Sequence, residues 1–188
     1  MNILNDETIR DAVKLWLNNE NKAIKQYGNI SDWDTSKVTN MDYLFSNYNN
    51  VNAVSFNQNI KSWDVSNVYT MKGMFMGASS FNQNIGLWNV SFVKNMKDMF
   101  CEAKSFNQDI RLWNVSCVTN MEQMFFYAIS FNQDIGLWNV SNVTNMSRMF
   151  YYAVSFNKNI GAWNVCNVNN MNMMFHNAKE FNQDIGEW

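Results

Sequence analysis

The 188-residue sequence predicts an α/β solenoid of about six 25-residue coils, each a short strand plus a short helix, beneath a helical N-terminal cap. Three observations carry that expectation. Tryptophan recurs at 63, 88, 113, 138, 163 and 188, always 25 residues apart. The apolar set Phe, Ile, Trp, Val, Val, Met, Met, Phe, Ala returns with each copy. Residues 1–30 lack this pattern yet contain helical spacing. A fixed period of this length marks units that bury their apolar residues only by stacking. The predicted organisation is one domain, with a cap over residues 1–30 and a repeat solenoid over 31–188.

The cap comes first. Asp6 is positioned to N-cap a helix that places Ile9, Ala12, Val13, Trp16 and Leu17 on one face. Asn18-Asn19 interrupts it, and a second helix is predicted from about Glu20 to Tyr27, stopped by Gly28. A leading unit follows at about 31–55. Trp33 precedes Trp63 by 30 residues, so this unit holds a five-residue insertion around Ser46–Ser55. Five complete units span 56–180, and a partial one runs from 181 to 188.

Within a unit, Met121, Met124, Phe125 and Ala128 lie at i, i+3, i+4 and i+7, which predicts a short amphipathic helix with Asn120 as its N-cap. Ile110–Val118 is rich in β-branched and aromatic residues and predicts a short strand leading into an Asn-Val-Ser turn. The asparagines at 57, 82, 107, 132, 157 and 182 follow each Phe and predict a ladder that satisfies backbone groups at the corner of every coil. One strand and one helix per unit is the leucine-rich-repeat plan. At about 4.8 Å per turn, six turns extend roughly 30 Å.

Composition excludes other classes. The chain has no proline, 34 asparagines, 14 Met, 14 Phe and 8 Trp. Its 47% hydrophobic and 15% aromatic content opposes disorder. A net charge of −2 supplies no field for nucleic acid. No apolar run approaches the ~18 residues that span a bilayer, so no membrane insertion is expected. The segment Met1-Asn2-Ile3-Leu4-Asn5-Asp6 does not read as a secretory leader, and the compartment stays open.

The string F-N-Q-x-I-x-x-W-x-V-S-x-V-x-x-M-x-x-M-F-x-x-A over residues 31–188 resembles the repeat of BspA-type leucine-rich-repeat proteins. Within them it is similar to the 25-residue family of unknown function first noted in mycoplasma surface proteins. The resemblance implies non-catalytic binding or adhesion to a protein or glycan, often at a cell surface, and brings no active site.

The residues themselves are also read for chemistry. Cys101, Cys117 and Cys166 sit at three phases of the repeat and do not converge on a metal or redox site, and the single His176 has no triad partners. No cofactor and no metal are therefore expected. Asp109 and Asp134 share a phase in adjacent coils, about 5 Å apart by the coil spacing, near the separation of a retaining glycosidase pair. A carbohydrate-active enzyme is the alternative reading, and a structural spacer is the third. The preferred candidates lie where units differ on the surface. Phe126, Tyr127, Tyr151 and Tyr152, with His176 beyond them, stack in neighbouring coils as a binding patch. The last coil, covered only by residues 181–188, predicts weak self-association.

Overall fold

The computed structural model describes residues 3–188. Met1 and Asn2, the start of the segment read for a leader, lie outside them. Over the described residues the chain is a mixed α/β structure with two α-helices, a small two-stranded parallel sheet and a long succession of turns. Strand β1 (Ile3–Asn5) pairs with β2 (Asp34–Lys37) across a register shift. Helix α1 spans Thr8–Asn18 and α2 spans Glu20–Tyr27.

The break between the helices has a local cause. The Asn19 side chain accepts from the Lys22 N–H and starts α2, while Gly28 ends it at φ 81°. One capping expectation is overturned. Asp6 does not cap α1; the Asn5 side chain accepts from the Glu7 and Thr8 N–H groups there. Asp6 instead reaches the first unit, where it accepts from the Thr39 N–H and hydroxyl and the Asn40 N–H. Burial raises its pKa, but these bonds and the charge of Arg10 outweigh it, so its carboxyl titrates below the usual range. Arg10 donates to the carbonyls of Asp42 and Asn40 on the same face. The five-residue insertion forms a 3-10 turn at Val51–Ser55, tied to α1 by an Asn52 amide that donates to the Leu17 carbonyl.

Beyond residue 55, each 25-residue unit lies against the next. Isolated parallel bridges join Asn40, Thr70, Asn95, Asn120, Asn145 and Asn170 in series. The strand expected over Ile110–Val118 and the helix expected over Met121–Ala128 are both absent; turns replace them. The N–H groups of Met121, Gln123, Phe125 and Tyr127 donate forward to the carbonyls of Asn145, Ser147, Met149 and Tyr151 in the next unit. Between them, Met124, Phe126 and Ala128 bond back three residues within the unit. Half the donors a helix would use internally are thus spent on the neighbouring unit. Two phases adopt positive φ, those of Gln123 (φ 56°) and Tyr127 (φ 53°). Each is the third residue of a four-residue turn, where a type II turn requires the left-handed region. In the unit at 71–78 both places are glycine, Gly73 and Gly77.

Non-glycine residues at these phases hold a disfavoured backbone. Arg148 (φ 54°) is exposed, so its side chain tests the point cleanly. Arg148→Gly removes the Cβ and is expected to be neutral or stabilising, while Arg148→Val keeps it, adds β-branching, and is expected to be less stable than the glycine variant by about 1–2 kcal/mol. Equal urea midpoints for the two variants would contradict the left-handed assignment.

The core is a set of columns. Phe, Ile, Trp, Val, Met and Ala of the repeated set are buried through the central units, and the methionine pairs Met96/Met99, Met121/Met124 and Met146/Met149 pack inside. Phe125 stacks on Phe131, the first residue of the following unit, at 3.9 Å and on Phe100 and Phe150 at 5.7 Å. Trp indoles tie units together: Trp113 Nε1 donates to the Ile85 carbonyl at 3.1 Å, and Trp63, Trp88, Trp138 and Trp163 repeat the bond. The expected asparagine ladder is present. Asn107 Oδ1 accepts from the Asn132 N–H and the Gln133 amide; the N–H bond recurs from Asn57 to Asn157, and the amide bond does so except at Asn132, where Lys158 takes the place of the glutamine. Each Asn-Val-Ser corner is fixed by an Asn oxygen that accepts from the N–H two residues on, as in Asn89 and Ser91.

Candidate binding surface

The two residues after Phe125 leave the core because the turn ending at Ala128 sends both side chains outward. The next unit, one spacing away, does the same. Phe126 therefore stacks on Tyr151 at 4.9 Å (6°), and Tyr151 on His176 at 4.8 Å (20°). Beside this column, Tyr127 stacks on Tyr152 at 4.4 Å (8°). Cross-contacts of 5.0 Å join Phe126 to Tyr127 and Tyr151 to Tyr152. All five residues expected at the patch are brought together. The four leading rings are half-buried and His176 is exposed. Partial burial, with Tyr152 and Tyr151 close by, raises the pKa of the Tyr127 phenol, so the hydroxyl stays protonated at neutral pH.

The geometry limits what the surface can recognise. The parallel stacking uses ring faces within the columns. Ring edges, which carry the positive part of the aromatic quadrupole, are left at the flanks of the columns. The columns rest on Cys101 and Glu102, which hold the same two phases in the preceding unit. Cys101 is buried, and burial pushes its thiol up to about 12.

The other candidate residues make local contacts. Asp109 Oδ1 accepts from the Arg111 N–H, and its other oxygen meets the Arg111 guanidinium at 3.2 Å. Asp134 Oδ1 accepts from the Gly136 N–H. Both carboxylates are exposed, and each shapes its own turn. Cys117 and Cys166 are exposed and free, and no group of three His, Cys, Asp or Glu side chains able to hold a metal occurs among the described residues. Among those residues no helix is long and apolar enough to cross a membrane.

One exposed feature escapes a reading of the apolar pattern. Leu87, Leu112 and Leu137 precede a buried Trp in three consecutive units yet point to solvent. The signal for this lies in the companion positions at the same phase, Ser62, Ala162 and Glu187, which no buried site would accept together.

Fold and surface together define a protein of stacked 25-residue units whose interior repeats and whose outside varies. The chain belongs to the family described as "Mycoplasma protein of unknown function, DUF285", which matches residues 16–125 and 107–188. No curated protein and no solved structure matches it.

Proposed function

We propose that the chain is a non-catalytic repeat scaffold, a solenoid of the BspA-type leucine-rich-repeat plan, that binds a protein or glycan partner through the aromatic double column. The strand and helix of that plan are here reduced to bridges and turns, while the unit-on-unit stacking is kept. The observation that carries the reading is the paired column of Phe126, Tyr127, Tyr151, Tyr152 and His176 on a surface where the other units place Met76, Gly77, Cys101 and Glu102, with Asn177 beside His176. The fold needs only small or adaptable residues at these phases, so five ring side chains in three adjacent units exceed its requirements. Aromatic residues are efficient interface anchors because they bring large area at low entropic cost.

The partner that fits meets aromatic edges and phenol groups, which both donate and accept hydrogen bonds. The test is a screen of the whole chain against glycan and protein arrays, followed by the variant Tyr127→Ala/Tyr151→Ala/Tyr152→Ala. Partners of the native chain are expected to lose affinity by about tenfold or more, as for truncation of hot-spot tyrosines. A hit list identical for native and variant proteins would overturn the assignment.

A further inference from the structure

A second apolar surface lies at the tryptophan corner, away from the phases of the aromatic columns. Leu87, Leu112 and Leu137 are 87, 73 and 90% exposed. The cause is local: Ile85 and Trp88 both turn inward, and the Trp88 N–H donates to the Ile85 carbonyl at 3.1 Å, so the two residues between them are held outside. The next two units repeat this bond with Trp113 and Trp138. Stacking then lines the three leucines in a row. Successive indoles at this corner stand 6.4 Å apart, as Trp113 and Trp138 do, so the first and third leucines are about 13 Å apart, twice that spacing.

The row has shallow clefts beside it. One is lined by Asn84, Gly86, Leu87, Asp109 and Leu112, and a similar one lies further along at Asn159, Gly161, Asp184 and Glu187. Glycine keeps the first cleft open and the units close, since a Cβ at Gly86 would come within 2.2 Å of the Asp109 carbonyl. The charges bordering the row are mostly acidic. From residue 84 onward, the flanking phases carry Asp109, Asp134, Asp184 and Glu187 against Arg111, which is already paired with Asp109. Lys158 stands at the adjoining Gln phase, and Lys61 and Asp64 precede the row.

We infer that the Leu87–Leu112–Leu137 row docks a basic amphipathic helix of a partner protein, laid along the stacking direction. In such a helix, apolar anchors at i, i+4 and i+8 span about 12 Å, close to the length of the leucine row. Its flanking lysines or arginines meet the carboxylate border. The surface is independent of the aromatic columns.

The test uses the whole chain and a labelled peptide of about 15 residues with leucines at that spacing and lysines elsewhere. A counterpart carrying glutamates in place of the lysines is the control, and binding is read by fluorescence anisotropy. The native chain is expected to bind the lysine peptide at least about tenfold more tightly than the glutamate peptide. Leu87→Asn/Leu112→Asn/Leu137→Asn should weaken that binding about tenfold or more while keeping the native tryptophan circular dichroism. Asp109→Asn/Asp134→Asn should weaken it about threefold, an effect that fades at high salt. The Tyr127→Ala/Tyr151→Ala/Tyr152→Ala variant should bind the peptide as the native chain does. Equal binding by the leucine variant, or equal binding of both peptides, overturns the proposal. So does a concentration-dependent dimer of the native chain that the leucine variant abolishes, because the row's occupant is then a second copy. Leucine-dependent binding to phosphatidylcholine vesicles, with no preference between the peptides, overturns it in favour of a lipid surface.

Discussion

Phe125→Ala is expected to lower stability by about 3–5 kcal/mol, read as a fall in the urea midpoint. The ring is fully buried and contacts three other phenylalanines, Phe100 in the preceding unit and Phe131 and Phe150 in the following one. Its removal opens a void that two units line at once, and stacked rings on both sides lose a face. The backbone there is held by ladder bonds, because the Phe125 N–H donates to Met149 at 2.9 Å and the Phe100 N–H to Met124. The units therefore cannot slide together to fill the space, which puts the cost toward the upper part of the range. Leu137→Ala removes a comparable apolar side chain from the surface and should change stability by no more than about 0.5 kcal/mol. Similar losses for the two variants would refute the column description of the core.

The second large effect is at the cap. Asp6→Ala is expected to cost about 1.5–3 kcal/mol, because the Thr39 N–H and hydroxyl and the Asn40 N–H lose a charged acceptor together. The loss should depend on pH. The folded-state carboxyl titrates below its unfolded value, so its contribution is present in full above the unfolded pKa near 3.9. It disappears as pH falls through the lower folded value. Native and Asp6→Ala stabilities should thus differ at neutral pH and converge in acid. A difference that stays constant down to strongly acidic pH would show that Asp6 acts through packing alone. Asp98 has the opposite sign. Burial raises its carboxyl despite the Lys97 charge and the Gln123 amide hydrogen bond, so its ionisation opposes folding at neutral pH.

These two sites show what could be read in the chain before its structure. Phe125 was legible because a strict 25-residue period places the same apolar types in the same environment, and any phase that never tolerates a polar residue is interior. The helix ends at Asn19 and Gly28 were legible from local turn chemistry. Asp6 was misread because Asn5, one residue earlier, serves α1, and a bond to Thr39 spans 33 residues with no local pattern to announce it. The unit helix was misread for a different reason. Met121, Met124, Phe125 and Ala128 face one way in a helix, and they also do so in overlapping four-residue turns. Gly73 and Gly77, four residues apart within an apolar segment, were the available hint that these phases need the left-handed region. The aromatic columns were legible as a juxtaposition, because equal phase means neighbouring position. That their rings would turn face to face, leaving edges at the flanks, depends on side-chain torsions that no spacing encodes. The leucine row was hidden by its setting between Ile and Trp in a stretch that looked like a buried strand.

The turn ladder also gives the molecule an electrical direction. In an ordinary sheet the peptide dipoles largely cancel. Here four N–H groups per junction point from each unit to the one after it, while one or two, such as Thr144 to Thr119 and Ser105 to Ser79, point back. The surplus adds from unit to unit as it does in a helix, but with the opposite sense relative to the chain. Carbonyl oxygens, and hence negative potential, gather at the end nearest residue 40. Arg10 places its cation on the Asn40 and Asp42 carbonyls at that end, where a positive charge is favoured. The cap is therefore an electrostatic terminator as well as an apolar lid, and a neutral replacement at position 10 would leave the whole stack's dipole uncompensated at its origin.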